Sequence, residues 1–232
     1  MNIIQKPSPN FDDRAGQKPS IILLHYTGMK TAEDALARLT SEDSKVSSHY
    51  TVDEDGTIYN HVSESKRAWH AGQSYWRGER NINAISIGIE VVNPGHEFGY
   101  RKFPVVQIQA VQTLCKDIIK RHEINDVLAH SDVAPDRKQD PGELFPWKEL
   151  AQNGVGEWPE PSDEDMVKGA GLNVPRALQD MGYEAFNKDN ILIAFQRHYV
   201  PEAFKKGTEG HACGLTKGRL YALLARHLIS TT

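Results

Sequence analysis

The stretch Leu128–Trp147, LAHSDVAPDRKQDPGELFPW, constrains this chain more than any other. It follows a short β-like run, Asp126–Leu128. Pro135 and the Pro141-Gly142 pair break any continuous helix, so the segment reads as an ordered loop at the end of a strand. Such a loop can aim several side chains at one point. His130 and Asp140, ten residues apart, can share a zinc ion there. Lys138 alternates with Asp140 and can stand beside the metal without binding it. Taken alone the pair is a weak signal, because most loop His and Asp residues are simply solvated.

A second stretch strengthens it. Ser20–Ile21–Ile22–Leu23–Leu24–His25 is an apolar run that ends in a histidine, followed by Tyr26-Thr27-Gly28. A buried strand that delivers His at its C-terminal end presents a ligand on a rigid element. His25, His130 and Asp140 then make three protein ligands. The fourth position is left for water, as in a catalytic zinc site and unlike a closed structural one. Ile85–Val92 is a further apolar strand, interrupted by Glu90. Two readings of Glu90 stay open. It is paired with an arginine or solvated at a strand end, or it is the general base that takes a proton from water at the metal.

The other elements frame these. Thr31–Thr40 reads as a packing helix, capped by Thr31, with Ala35, Leu36 and Leu39 inward. Lys45–Val52 and Thr57–Val62 read as a β-hairpin turning at Gly56. His49 in it either lines the site or is a hydrogen-bonded sheet histidine, and His61 is structural. Trp69 and His70 form one wall of a groove or, alternatively, are a core indole and a partnered imidazole. His70 precedes a loop, Gly72–Asn83, and is not taken as a metal ligand. Phe103–His122 keeps an i, i+3, i+4 apolar rhythm, so it is a core-facing helix that buries Cys115. His96, in the Pro94-Gly95 turn, reads as exposed. Strands interleaved with helices predict an α/β (α+β) domain, a central mixed β-sheet flanked by helices.

At 232 residues the chain has room for two domains. The expected division is an extended lead-in at 1–19, a catalytic domain at 20–150, a linker at 151–165 and a small three-helix domain at 166–232. The linker is rich in Gly, Pro and acids. The helices beyond it are Pro175–Tyr183, Asn187–Tyr199 with Asn187 as cap, and Thr216–Ile229. A 25% charged composition with net charge −4 argues against a nucleic-acid binder. Two distant cysteines make no disulfide framework. No run approaches the length of a membrane span. MNIIQKPSPNFDDR carries no apolar signal segment, so the expected location is cytoplasmic, with the periplasm or cell envelope as the alternative. A monomer is expected.

Five blocks in order, LLHYTG, KVSSHYTVDEDGTIYNHV, KRAWHAG, ISIGIEVVN and HSDVAPDRKQDPG, resemble the zinc-dependent N-acetylmuramoyl-L-alanine amidases of the type-2 class. That class shares its fold with peptidoglycan recognition proteins. The match spans roughly residues 18–150. The resemblance implies one Zn2+ on His25, His130 and Asp140, with Glu90 as the catalytic glutamate and Lys138 as the transition-state lysine. It implies substrate contacts at Tyr26, Lys45, His49, Trp69, His70, Arg80 and Asn83, with Lys45 meeting a carboxylate of the peptide stem. The implied reaction cuts the amide between the lactyl carbonyl of N-acetylmuramic acid, or its anhydro form, and L-alanine, in peptidoglycan or muropeptides. ILIAFQRHYVPEAF resembles the helical peptidoglycan-binding domains attached to cell-wall hydrolases. A helical cap or dimerisation unit is the alternative there. Two other functions compete with the amidase: a non-catalytic recognition module on the same fold, and a zinc peptidase acting on another carbonyl. Within the amidase reading, a missing export signal points to recycling of anhydro-muropeptides, and a wall-binding-like domain points to polymeric wall.

Overall fold

The computed structural model describes residues 3–184 and 188–229. Its strands are β1 (Ile3–Gln5), β2 (Phe11–Asp13), β3 (Ile21–Tyr26), β4 (Tyr50–Val52), β5 (Ile58–Asn60), β6 (Lys66–Ala68), β7 (Ser86–Val91) and β8 (Asp126–Ala129). The helices of the first two thirds are α1 (Ala32–Thr40), α2 (Ile82–Ile85), α3 (Gly95–Phe98), α4 (Val105–Arg121), α5 (His130–Val133) and α6 (Trp147–Gln152). The remainder is helical: α7 (Asp163–Ala170), α8 (Val174–Met181), α9 (Lys188–Tyr199), α10 (Glu202–Lys206) and α11 (Gly214–Ile229).

Six strands form a mixed sheet in the order β1-β5-β4-β7-β3-β8. β3 lies between β7 and β8 and is parallel to both, while β4 and β5 make the expected antiparallel hairpin, with Gly56 at φ +86° in its turn. Register places Ile21 beside Ser86, Leu23 beside Gly88 and His25 beside Glu90. Side chains alternate along each strand, so these pairs share one face and Ile22 and Leu24 point to the other. The two faces meet different partners. Ile22, Leu24, Ile87 and Ile89 pack with Ile108, Val111, Leu114, Cys115 and Ile118 of α4. Ile21, Leu23 and Leu128 pack with Leu178 and Met181 of α8, Ile191 and Phe195 of α9, and Leu220 and Leu223 of α11. The near-continuous apolar reading of β3 follows from this double coverage.

Several sequence expectations change in detail. The lead-in is extended but not loose: β1 adds to the main sheet beside β5, and β2 pairs with β6. Arg14 fastens it, donating to the carbonyls of Glu64, Ala84 and Ser86 at 2.8, 2.6 and 2.9 Å. The acidic stretch after Ala151 is shorter than expected. α6 runs on to Gln152, and α7 begins at Asp163 because Ser162 and Asp165 close a reciprocal capping box. α7 and α10 therefore join the three expected C-terminal helices. The expected Asn187 cap lies outside the described residues. Thr31 does cap α1, accepting from the Asp34 amide at 3.0 Å. Among the described residues no helix is long and apolar enough to cross a membrane.

Because α9 shares its core with the sheet, Phe195→Ala should cost about 3–5 kcal/mol. Urea unfolding followed by tryptophan fluorescence measures this, and an unchanged midpoint would show that the sheet does not depend on that helix.

Candidate metal centre

Parallel strands present their C-terminal ends together, and open sheets place ligand sites there. β3 ends with His25 and β7 carries Glu90 beside it. β8 pairs Ala129 with Leu24, so the next residue, His130, emerges beside His25. The chain after α5 then returns through a short turn, and the Ser131 amide donates to the Asp140 carbonyl at 3.1 Å. These steps bring three ligand atoms into a triangle. His25 Nδ1 and His130 Nδ1 are 2.9 Å apart, and Asp140 Oδ2 is 3.0 Å from each. All three residues are buried.

The proton count in this triangle follows from its surroundings. The Ser86 hydroxyl donates to the Ile82 carbonyl at 2.7 Å, so its oxygen accepts from His70 Nε2–H at 3.3 Å. Neutral His70 then offers Nδ1 as an acceptor, and His25 Nε2–H donates to it at 3.0 Å. That leaves the lone pair of His25 on Nδ1. His130 Nε2 faces the Ala71 carbonyl at 3.0 Å and donates to it, which turns Nδ1 toward His25 and Asp140. Burial, reinforced by the neighbouring His130, lowers the His25 pKa to about 4, which keeps that ring neutral. Burial opposes ionisation of Asp140, but its contacts with His130 and His25 outweigh this and hold it well below the usual carboxylate range. Two imidazole nitrogens and one carboxylate oxygen thus converge on one point, each ring held from its far side. A divalent cation satisfies that arrangement, and an N2O donor set suits zinc. Holding each imidazole by its far nitrogen fixes both tautomer and aim.

Glu90 completes the floor. Its Oε2 is buried and, among the described residues, has no hydrogen-bond partner. Burial, and after it the Asp140 charge, pushes the Glu90 pKa well above the ordinary value, with Lys138 and Arg38 acting in the opposite sense. Glu90 is half-buried where it lines the cleft, and among the described residues no arginine forms an ion pair with it. Glu90, Lys138, His25, His130 and Asp140 all line one cleft of about 760 Å³.

Of the expected substrate contacts, Tyr26, Trp69 and His70 line this cleft. The others lie elsewhere. His49 is 0% exposed beneath His70. It is a sheet histidine, accepting from the Gly88 amide at 3.0 Å and meeting the Lys66 carbonyl at 3.0 Å. Asn83 turns inward, its carbonyl oxygen accepting from the His70 and Ala71 amides at 3.1 and 2.8 Å, so it shapes the wall without forming it. Arg80 pairs with Glu184 and lines a neighbouring cavity with Arg137 and Ile191. Lys45 is exposed at φ +52°, and only its neighbours Val46 and Ser47 reach the cleft. His96 is not free: its Nδ1 accepts from the Tyr26 hydroxyl at 3.0 Å and its Nε2 meets Glu143 at 3.2 Å.

Some cleft residues escaped the sequence reading. α1 is more than a packing helix, because Asp34 and Arg38, four residues apart on one face, form part of the wall. That i, i+4 pair opposite the apolar face was the available signal. Lys30 and Phe98 form the rim, the ammonium 5.4 Å from the ring centre. Gly88 was also missed. A Cβ there would stand 2.5 Å from the His70 ring, so only glycine in the middle of β7 leaves room for the imidazole that holds His25.

Two outcomes follow. Gly88→Ala should displace His70 and cost about 1–3 kcal/mol by overpacking, read from denaturant unfolding. Glu90 holds a proton in the metal-free fold that the unfolded chain gives up, so its contribution to stability falls as pH rises above the unfolded value near 4.5. Glu90→Gln should therefore melt higher than the parent at pH 7 after chelation, with the gap closing near pH 4.

A family model described as N-acetylmuramoyl-L-alanine amidase matches residues 15–143. The amidase AmiD of Escherichia coli K12 is 35% identical, aligned over 97% of this chain and 91% of its own. The 1,6-anhydro-N-acetylmuramyl-L-alanine amidase AmpD of the same organism is 33% identical over 61% of this chain and 86% of its own. The solved complex of E. coli AmiD with the substrate anhydro-N-acetylmuramic acid-L-Ala-D-gamma-Glu-L-Lys superposes with a TM-score of 0.78 at 34% identity, covering 93% of this chain and 91% of that one. AmpDh3 from Pseudomonas aeruginosa gives the same TM-score at 30% identity, covering 95% of each chain. With its family match across more than half its length and a relative aligned nearly end to end, the chain belongs to the N-acetylmuramoyl-L-alanine amidase family.

Proposed function

We propose that this enzyme hydrolyses the amide between the lactyl carbonyl of N-acetylmuramic acid, or its anhydro form, and L-alanine. The observation that supports it best is the buried triangle of His25, His130 and Asp140 next to the buried Oε2 of Glu90. One zinc ion would be held by the three ligands, and when bound it supplies a Lewis acid that brings the pKa of water to about 7. Amide hydrolysis builds negative charge on the carbonyl oxygen and needs a proton delivered to a poor leaving group. Glu90 takes a proton from the attacking water and passes it to the departing L-alanine nitrogen. Lys138 donates to the developing oxyanion. Tyr26, Trp69 and His70 line the approach for sugar and stem, with Arg38 and Lys30 as the cations nearest a stem carboxylate.

The substrate class is supported by E. coli AmiD and P. aeruginosa AmpDh3, relatives that align over most of the chain and were each solved with an anhydromuramic peptide. A pure recognition module would have no use for a buried base beside three metal ligands, which disfavours that reading. The helices after the acidic stretch are the second unit of the proposed division, residues 166–232, and their outer surface is the candidate wall contact.

Mass spectrometry of products from sacculus fragments and soluble anhydro-muropeptides, with and without a chelator, tests the reaction. Chelator-sensitive release of peptides beginning at L-alanine is expected, and the pool consumed assigns recycling or wall turnover. Cleavage of sugar-free peptides instead would overturn the assignment. Glu90→Ala should keep zinc and lose roughly 10²–10⁴-fold in rate, whereas His130→Ala and Asp140→Ala should lose the zinc itself, read by elemental analysis.

A further inference from the structure

We propose that α9 clamps the metal-bearing segment 130–143, with Asn190, Arg197 and His198 as positioning residues for the centre. Three polar contacts run from this one helix to that one segment. Asn190 Nδ2 donates to Asp136 Oδ1 at 2.9 Å, Arg197 Nε to Glu143 Oε2 at 3.4 Å, and His198 Nδ1–H to Asp132 Oδ2 at 2.6 Å. Residues seven and eight apart on a helix return to the same face, so 190, 197 and 198 point together. Their partners bracket the chemistry. Asp132 lies two residues after His130, Asp136 two before Lys138, and Glu143 three after Asp140.

The inner contact carries the argument. His198 and Asp132 are 1% and 0% exposed. Asp132 also accepts from the Tyr183 hydroxyl at 2.7 Å and, at 2.8 Å, from the backbone N–H of Ala129, the residue immediately before His130. The His198 ring is stacked between Trp147 and Tyr199, each 3.8 Å away. Desolvating a carboxylate and an imidazole is costly, and apolar residues of equal volume would join the two layers at least as well. What the polar pair adds is direction: it fixes where the backbone before His130 stands. At the other end, Glu143 also receives His96, which holds the Tyr26 hydroxyl next to His25. The clamp thus reaches both arms of the ligand set. Outer supports of this kind govern metal affinity.

The inference rests on the zinc reading of the site, and the experiment separates the two. Zinc stoichiometry and affinity of the full chain are measured by competition with a chromophoric chelator, together with the visible spectrum of the cobalt-substituted protein. His198→Phe keeps the stack and removes the hydrogen bond to Asp132. Arg197→Met removes the contact to Glu143 at the less buried end, and carries the test should the first variant fail to fold. Leu223→Ala, in the shared core on α11, controls for loss of stability alone. Both clamp variants are expected to bind zinc on the order of tenfold more weakly, with an altered cobalt spectrum, while Leu223→Ala keeps the parent affinity and spectrum. Parent-like affinity in both clamp variants, or an equal loss in Leu223→Ala, overturns the clamp and leaves the zinc site standing. A parent chain that takes up no zinc overturns the zinc reading, and the clamp with it.

Discussion

The structure depends on keeping two imidazole nitrogens and a carboxylate oxygen within about 3 Å of one another in a buried place. Left to themselves such groups repel or capture a proton. Here the far nitrogen of each ring is occupied, so each Nδ1 faces inward. For His25 the support is a chain of donors that ends at the Ile82 carbonyl, and it passes through His70 and Ser86. That chain exists only because Gly88 leaves space for the His70 ring. A glycine in a central strand weakens it intrinsically, so the site is maintained at some expense to the sheet.

Two carboxylates near one centre take opposite characters from their surroundings. Asp140 touches two imidazoles and stays ionised, as a ligand must. Glu90 Oε2 meets no donor among the described residues, and burial pushes the carboxyl toward its protonated form, so it is suited to taking up and releasing a proton. Pairs of titratable groups separated in this way are how a single site divides acid–base work. Lys138 and Arg38 temper the effect on Glu90, and both line the same cleft.

The C-terminal helices take part in the same architecture. They cover the sheet face that ends in His25 and Glu90, while α4 covers the opposite face. Their contacts are apolar beneath the sheet, and α9 adds polar contacts to the segment that bears His130, Lys138 and Asp140. A unit whose outer side could engage cell wall therefore has its inner side built into the catalytic half.

Much of this was legible in the chain itself. The apolar run into His25 and the Pro- and Gly-broken stretch after Leu128 implied a strand-borne and a loop-borne ligand, because burial and backbone restriction leave local marks. The mixed sheet, the hairpin turn at Gly56 and the α4 periodicity were readable for the same reason. The side-chain assignments around the cleft were not. His49 and His70 lie in adjacent motifs and look alike in sequence, yet His49 is fully buried against Gly88 of β7 while His70, beside it, lines the cleft, since packing between distant strands decides which ring is covered. Lys45 sits in a family-like block and Arg80 and Asn83 between the next two blocks, but side-chain directions there depend on partners distant in the chain, such as Glu184 for Arg80. The grip of His198 on Asp132 joins residues 66 positions apart. A local pattern records which residues must be buried and where the backbone must turn. It holds no record of which side chain, dozens of residues away, will fill the remaining hydrogen-bond position, because only the packed layers bring that partner within reach.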